Sequence, residues 1–471
     1  MINIFIIIIA AFIVQFLLRR DLDKGLAAAV FFLVFLPVEV QIPMPGALPQ
    51  LTAHRVILLI VLAHCWPRIR GLAGTPVAGV LVLAALVAAC RLCSTVIALS
   101  PSASFKVVLD FLIETVLYFV LILAGLRSRR SIELMAWSSL AALVAVAGIG
   151  TIEKYTGINL AAQVVPGMAD FPNTVSSTFR HRILFGYAMA MAFPLALALG
   201  ERADTPWRRR LAGIGFFIVP AACYFSNSRG PWVGFALGTV IIGALGGARL
   251  RKKLLWAGVL TAAVLILRPG VKETIVDLWH QTFNDDSVKG ESASYRKKLW
   301  WVAYSELSKS PERLVFGYGG YSTQMMDLSE YFDRGAGGLA TVLGYTSWDS
   351  QYASDFMQYG FLGFGLEVAF YLAVLATVLK AWRPAAEADR PFIAACIAST
   401  GVFLFAMATV AIFNPQLEFL FWALVAACGR FQYLTAWEPT AGDPLKEASL
   451  TDAEGSMAGM LPAGTSFKNE I

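Results

Sequence analysis

One polar stretch, Pro269 to Ser350, interrupts a chain that otherwise reads as one apolar run after another. Thirteen runs recur, at about 2–18, 26–42, 53–66, 76–98, 105–126, 132–150, 183–200, 211–225, 231–248, 254–268, 353–379, 391–413 and 417–434. An apolar run of roughly 18–20 residues is as long as a bilayer core is thick when it is helical. Helices suit that setting because they satisfy every backbone N–H and C=O within the segment. The expected fold is therefore an all-α polytopic membrane protein of about 13 (12–14) transmembrane helices, with one large loop between the tenth and eleventh spans. Composition agrees: 57% of residues are hydrophobic, 15% are charged, and mean hydropathy is +0.64, whereas soluble domains carry roughly a quarter charged residues. Ile2 to Leu18 has no basic flank before it and no small-residue cleavage site, so it is expected to stay as the first span.

The net charge of +6 does not call for nucleic acid. Basic residues collect in alternate short loops, nineteen against six, as the positive-inside rule requires. That asymmetry places the N-terminus and the large loop outside and the C-terminal tail in the cytoplasm. The expected organisation is 1–150, N-terminal spans; 151–268, central spans with an outer loop at 151–182; 269–350, the large loop; 351–434, C-terminal spans; and 435–471, a disordered tail rich in Ala, Gly, Ser and Thr. All six cysteines sit in or beside apolar runs, which argues against a disulfide framework. Cys90 and Cys93 form a CxxC inside a span, where buried inert thiols are expected.

Several polar residues stand out on the expected outer face. Arg180, His181 and Arg182 lie at the mouth of the seventh span, on the side that is poor in cations. Arg229, in the turn SNSRGPW (Ser226 to Trp232), precedes Pro231, a residue suited to a first helical turn. Arg229 then sits among the free N–H groups of a helix N-terminus, where an anion is favoured. In the large loop, Ala293 to Leu307 has helical spacing. One face holds Leu299, Trp300, Val302 and Tyr304, the other Arg296, Lys297 and Lys298, a pattern that suits the headgroup plane of a membrane as well as a plain surface helix. The turn FGYGGYS (Phe316 to Ser322) reads as a tight bend, with an anion-binding nest as the other reading. Asn284, Asp285 and Asp286 suit a capped or solvated turn better than a calcium loop, because no further acids follow at ligand spacing. Asp349 precedes the eleventh span, as an N-cap, as a functional carboxylate, or as both. Within the spans, Asp110 and Glu114 share a helix face, and a buried cluster with Arg91 is expected to hold the bundle together.

The outer cations Arg180, Arg182, Arg229 and Arg296, with Asp349 and nearby aromatics, contain no metal-ligand spacing, nucleophilic triad or phosphate loop. ATP does not reach that face, so a donor used there carries its own activation. A sugar on a polyprenyl diphosphate does so, and arginines grip its leaving group bidentately.

At these residues the chain resembles a known family. SNSRGPW is similar to the S-x-S-R-G turn of the O-antigen ligase and Wzy-type polymerase superfamily. YRKKLWWVAYSEL followed by SPERLVFGYG resembles a segment of that family's large periplasmic loop. DSQYASDFMQYGFLG resembles its closing segment, and FRHRILFGYAMAMAFPLAL an earlier one. Together they cover about residues 175 to 380. The resemblance implies a metal-independent glycosyltransferase, without cofactor, in the bacterial inner membrane. It would act at the periplasmic face on undecaprenyl-diphosphate-linked oligosaccharide, with a flippase and a chain-length regulator as possible partners and no nucleic acid. It assigns the diphosphate to Arg229 and Arg296; Arg180 and Arg182 are expected to help hold it, and His181 and Ser228 to bind substrate. Asp349 would activate the acceptor hydroxyl, and Trp300, Trp301, Tyr318 and Tyr345 would stack on sugars. Two departures matter: Arg182 replaces a Pro, and Asp349 stands where ligases that use lipid A-core carry His. The second tilts the reading toward a repeat-unit polymerase making O-antigen, capsule or exopolysaccharide. The alternatives are an O-antigen ligase and, in a different class, a transporter built on Arg91, Asp110 and Glu114.

Overall fold

The computed structural model describes residues 2–42, 50–69, 72, 77–165, 168, 174–268, 288–328, 331, 348–412 and 414–437, with 270, 272–273, 276–277 and 280. Helices α1 (Ile2–Arg20) and α2 (Leu22–Phe35) form a hairpin whose second helix is capped by Asp21. Strands β1 (Gln41–Ile42) and β2 (Leu51–Thr52) then pair antiparallel. Next come α3 (Ala53–Ile69), α4 (Ala78–Val96), and α5 (Pro101–Asp110), which runs through a π-helical segment (Phe111–Leu117) into α6 (Tyr118–Gly125). They are followed by α7 (Arg129–Thr156), α8 (Leu160–Val164), α9 (Arg182–Glu201), α10 (Pro206–Phe225), α11 (Arg229–Leu245) and α12 (Gly247–Leu267). The polar stretch supplies α13 (Val288–Leu307), α14 (Pro311–Phe316) and α15 (Ser322–Met325), and the chain closes with α16 (Gln351–Lys380), α17 (Arg390–Thr409) and α18 (Pro415–Trp437).

Each apolar run of the sequence contains a helix, although the second also runs on into β1. Among the described residues, eight helices are long and apolar enough to cross a membrane: α1, α4, the continuous α5–α6, α7, α9, α16, α17 and α18. The protein is thus an all-α membrane protein. The remaining apolar helices fall short for local reasons: α2 has 14 residues and α11 has 17, and α10 and α12 begin with Arg208–Arg210 and Arg249–Lys253. Helix α9 is apolar on all sides and buried from Leu184 to Leu199, because it packs against α7, α10, α11 and α17 together.

Charged side chains at one end of the bundle are mutually paired. Arg129 and Arg202 both meet the buried carboxylate of Asp389, at 3.0 and 3.1 Å, and Arg208 reaches Glu133 at 3.4 Å.

The polar stretch is pinned to the bundle by a break in α16. Gly360 has φ 63° and ψ −166° inside that helix, and Gly317 in the glycine turn has φ 73° and ψ −163°. Only glycine adopts this region readily. The break frees helix carbonyls, and a freed carbonyl in a bundle core needs a donor. The glycine turn supplies donors: Tyr318 N–H to Met357 O at 3.2 Å and Gly319 N–H to Gln358 O at 2.8 Å. The next two amides donate to Ser104 Oγ (2.9 Å) and Gln358 Oε1 (3.0 Å). Four successive N–H groups are therefore spent on protein acceptors, so the turn is a docking bend and not an anion nest.

Two expectations need correction. On α13 the inward face is Tyr295, Leu299, Val302, Ala303 and Leu307, packed on Ala353, Phe356 and Met357 of α16. Trp300 and Tyr304 turn outward, 38% and 55% exposed, because the buried stripe follows the i, i+4, i+7, i+8 rows set by Tyr295. Nor do Arg91, Asp110 and Glu114 form one cluster. Arg55 of α3 pairs with both Asp110 and Glu114, whereas Arg91 pairs with Glu367 of α16 at 2.9 Å. Opposite charges that meet only across helices leave no spacing in the sequence.

A methyl group on Gly360 would lie 2.5 Å from Val315 O. Gly360→Ala is expected to destabilise the protein by about 3 kcal/mol, the upper end for a strained residue, read as a lower unfolding midpoint in detergent.

Candidate active site

The N-terminus of α16 fixes the acid. Trp348 is buried, and Ser350 caps the helix, its hydroxyl accepting from Ala353 N–H. The N-cap role expected of Asp349 thus falls to its neighbour, and the Asp349 carboxylate points to α13. There Arg296 Nε donates to Asp349 O at 2.9 Å, and Nη2 lies 3.4 Å from Asp349 Oδ2. About a quarter of each side chain is exposed, 24% and 27%, so the pair is open to solvent without being loose. Tyr295, one residue earlier, is buried within electrostatic reach of Asp349.

The turn SNSRGPW delivers the second cation. Asn227 takes φ 48°, a left-handed value that Asn tolerates. Ser226 Oγ donates to Cys223 O, as does Trp232 Nε1, at 2.7 and 3.1 Å. Ser228 is the N-cap residue of α11, and its hydroxyl makes no capping hydrogen bond. Arg229 is then the first helical residue, within electrostatic reach of Arg296. A methyl on Gly230 would sit 2.6 Å from Tyr187 Oη, so glycine lets the turn press onto α9. Tyr187 lies within reach of Arg296 and shares a hydrogen bond with Thr409.

The mouth of α9 is held by an acid that sequence reasoning missed. Buried Glu153, in the last turn of α7, accepts from Ser176 N–H (3.1 Å), Ser177 N–H (2.7 Å) and Asn159 Nδ2 (3.2 Å). These bonds fold the segment leading to Arg180, His181 and Arg182; the sequence signal was a Glu beside a Lys at a helix end, which is common. His181 caps α9 through Nδ1, which accepts from Ile183 N–H at 3.3 Å. Burial holds its imidazole below the ordinary value, Arg182 adds to that, and Asp349 opposes it. Arg180 is set apart, 4.0 Å from Glu39 and 60% exposed.

The structure thus gathers Arg229, Arg296, Asp349 and His181, with Arg182 next to His181 in the chain. The aromatics expected to stack on sugars are placed differently. Tyr318 donates its hydroxyl to Glu306 O at 3.2 Å and carries Arg313 over its ring at 4.6 Å, so it braces the loop. Trp300 packs beside Phe356 and Phe364, at 5.9 and 5.6 Å. Trp301 is 57% exposed, edge-on to Tyr331. Tyr345, Asn284, Asp285, Asp286 and the tail beyond residue 437 lie outside the described residues.

A membrane helix bundle that brings arginines from separate elements around one carboxylate defines a class: an integral membrane protein with an anion-suited polar mouth. Comparison with known families narrows the class. Residues 214–368 match the family model described as O-antigen ligase, which covers Ser228, Arg229, Arg296, Trp300, Trp301, Tyr318 and Asp349 and excludes Arg180, His181 and Arg182. Over that segment the chain is similar to the O-antigen ligase family, as the motifs suggested. No curated protein matches the chain.

The position of His181 has a direct spectroscopic consequence. A folded-state pKa below the unfolded one means that the native protein prefers the neutral ring, so this contribution to stability is lost as pH falls through the folded value. NMR of ring-labelled histidine is expected to show His181 titrating below ordinary imidazole. Asp349→Asn is expected to lower its midpoint further, because a stabilising negative charge is removed.

Proposed function

We propose that this protein polymerises undecaprenyl-diphosphate-linked glycan repeat units at the periplasmic face of the bacterial inner membrane, without a metal. About 13 spans would carry it, with the large loop periplasmic and the tail cytoplasmic. The observation that supports this reading most is the convergence of Arg229 and Arg296, from elements far apart in sequence, beside Asp349. Arg182, next to His181, brings a further cation to this mouth. Two guanidinium groups within reach of each other repel, and a bound diphosphate relieves that repulsion. One guanidinium–phosphate pair at 4 Å is worth about 4 kcal/mol at an effective dielectric near 20, before desolvation.

In the proposed reaction a terminal hydroxyl of the acceptor glycan attacks the anomeric carbon of the donor in line, inverting it. The new C–O bond forms as the bond to the diphosphate breaks. The electron pair goes to the leaving oxygen, where Arg229 and Arg296 stabilise the growing charge. The hydroxyl proton goes to the Asp349 carboxylate and from there to water. Arg296 already holds Asp349 by its carbonyl and carboxylate, so the acid and the leaving-group site keep a fixed relation. Ser228 and His181 line the same mouth and suit hydrogen bonds to the diphosphate or the sugars. The exposed rings of Trp300 and Trp301 lie on the adjoining face of α13. Transfer to lipid A-core by a ligase uses the same donor chemistry; Asp at position 349 favours the polymerase.

The deciding assay combines lipid-linked repeat unit with purified protein, no nucleotide and a chelator. A ladder of products is expected. Transfer only when lipid A-core is added supports the ligase, and translocation without glycan transfer supports a transporter. Arg229→Ala, Arg296→Ala and Asp349→Asn are each expected to cut the rate by about 100-fold or more while the protein stays folded.

A further inference from the structure

The buried acids of α16 play no part in the site above. Asp355 and Glu367 lie on either side of the Gly360 break and are 2% and 4% exposed. Arg91 of α4 donates from Nη2 to Glu367 Oε1 at 2.9 Å, and its guanidinium sits over the rings of Phe111 and Tyr359, at 4.3 and 4.6 Å. Asp355 Oδ1 accepts from Gln351 Nε2 at 2.8 Å. The remaining oxygens, Asp355 Oδ2 and Glu367 Oε2, are buried with no hydrogen-bond donor, although the two side chains are within hydrogen-bonding reach of each other.

The charged and polar groups facing the pair are Arg91 and Cys90 from α4, Glu418 from α18, and Gln351, Tyr352, Tyr359 and Tyr371 from α16 itself. Three carboxylates therefore share one guanidinium, and Glu418 already accepts from Thr115 Oγ1 at 3.1 Å. Two ionised carboxylates in contact, away from water, repel strongly. A proton between them removes the repulsion and gives both unpartnered acceptors a bond.

We propose that Asp355 and Glu367 form a proton-binding site. The proton rides on Asp355 Oδ2 and is donated to Glu367 Oε2, so that one hydrogen bond clamps the two halves of α16 across the Gly360 break. Glu367 is the ionised partner because it takes the Arg91 hydrogen bond, whereas the hydrogen bond that Asp355 accepts comes from the neutral amide of Gln351. The clamp steadies the half-helix Gln351–Tyr359, whose N-terminus carries Asp349. It does not depend on the proposed reaction.

The test is infrared spectroscopy of the full chain in phospholipid nanodiscs at neutral pH, in H2O and D2O. A protonated-carboxyl C=O component that shifts in D2O is expected; it should be lost in Asp355→Asn and kept in Asp349→Asn. Asp355→Asn is expected to unfold close to the parent midpoint, because the amide keeps both the shape and the donor. Glu367→Gln is expected to unfold earlier, since it leaves Arg91 buried without a counter-charge. A carboxyl spectrum unchanged by Asp355→Asn, or an Asp355→Asn chain that does not fold, overturns the proposal.

Discussion

The candidate site depends on one broken helix. Where α16 gives up its regular backbone at Gly360, carbonyls in the bundle interior lose their own amides, and the low-dielectric surroundings make an unmatched carbonyl expensive. The glycine turn at 316–322 matches them with its own N–H groups. That exchange ties the polar stretch to the N-terminal half of α16 and leaves α13 lying along it. Arg296 reaches Asp349 because both elements are fixed by the same junction. A hydrophobic patch of Tyr295, Leu299, Val302 and Phe356 reinforces a placement that the backbone bonds specify.

Charge is distributed in two modes. Arg55, Arg91, Arg129 and Arg202 each have an acid close at hand, in interhelical pairs that hold elements together. Around Asp349 two arginines meet instead: Arg229 and Arg296 lie within electrostatic reach of each other, and Arg296 is 3.4 Å from the Asp349 carboxylate. Pairs buried in the bundle have little conformational freedom and serve the architecture.

The π-helical segment Phe111–Leu117 belongs with the first mode. It carries Glu114 to Arg55 and Thr115 to Glu418, so an irregular stretch, Arg55 and the Gly360 break all border one line of buried polar groups. Irregular backbone inside a membrane bundle persists where its neighbours hold it, and here Arg55 of α3 and Glu418 of α18 pair with its side chains.

The apolar runs by themselves determined the helical membrane class, because hydropathy and length are local properties that a bilayer reads segment by segment. The candidate residues were legible for a similar reason: an arginine or a carboxylate at the edge of an apolar run is conspicuous against so plain a background, as with Arg229, Arg296 and Asp349. Pairing was not legible. Arg55 with Asp110 and Glu114, Arg91 with Glu367, Arg180 with Glu39, and Glu153 with its two serine amides join residues whose separation in sequence carries no period. The roles of Ser350 as cap and of Tyr318 as brace were settled the same way, by which neighbour lay within reach. Only the tertiary structure decided these, because a hydrogen bond or ion pair between elements depends on how helices are packed, and packing follows from the whole set of faces at once.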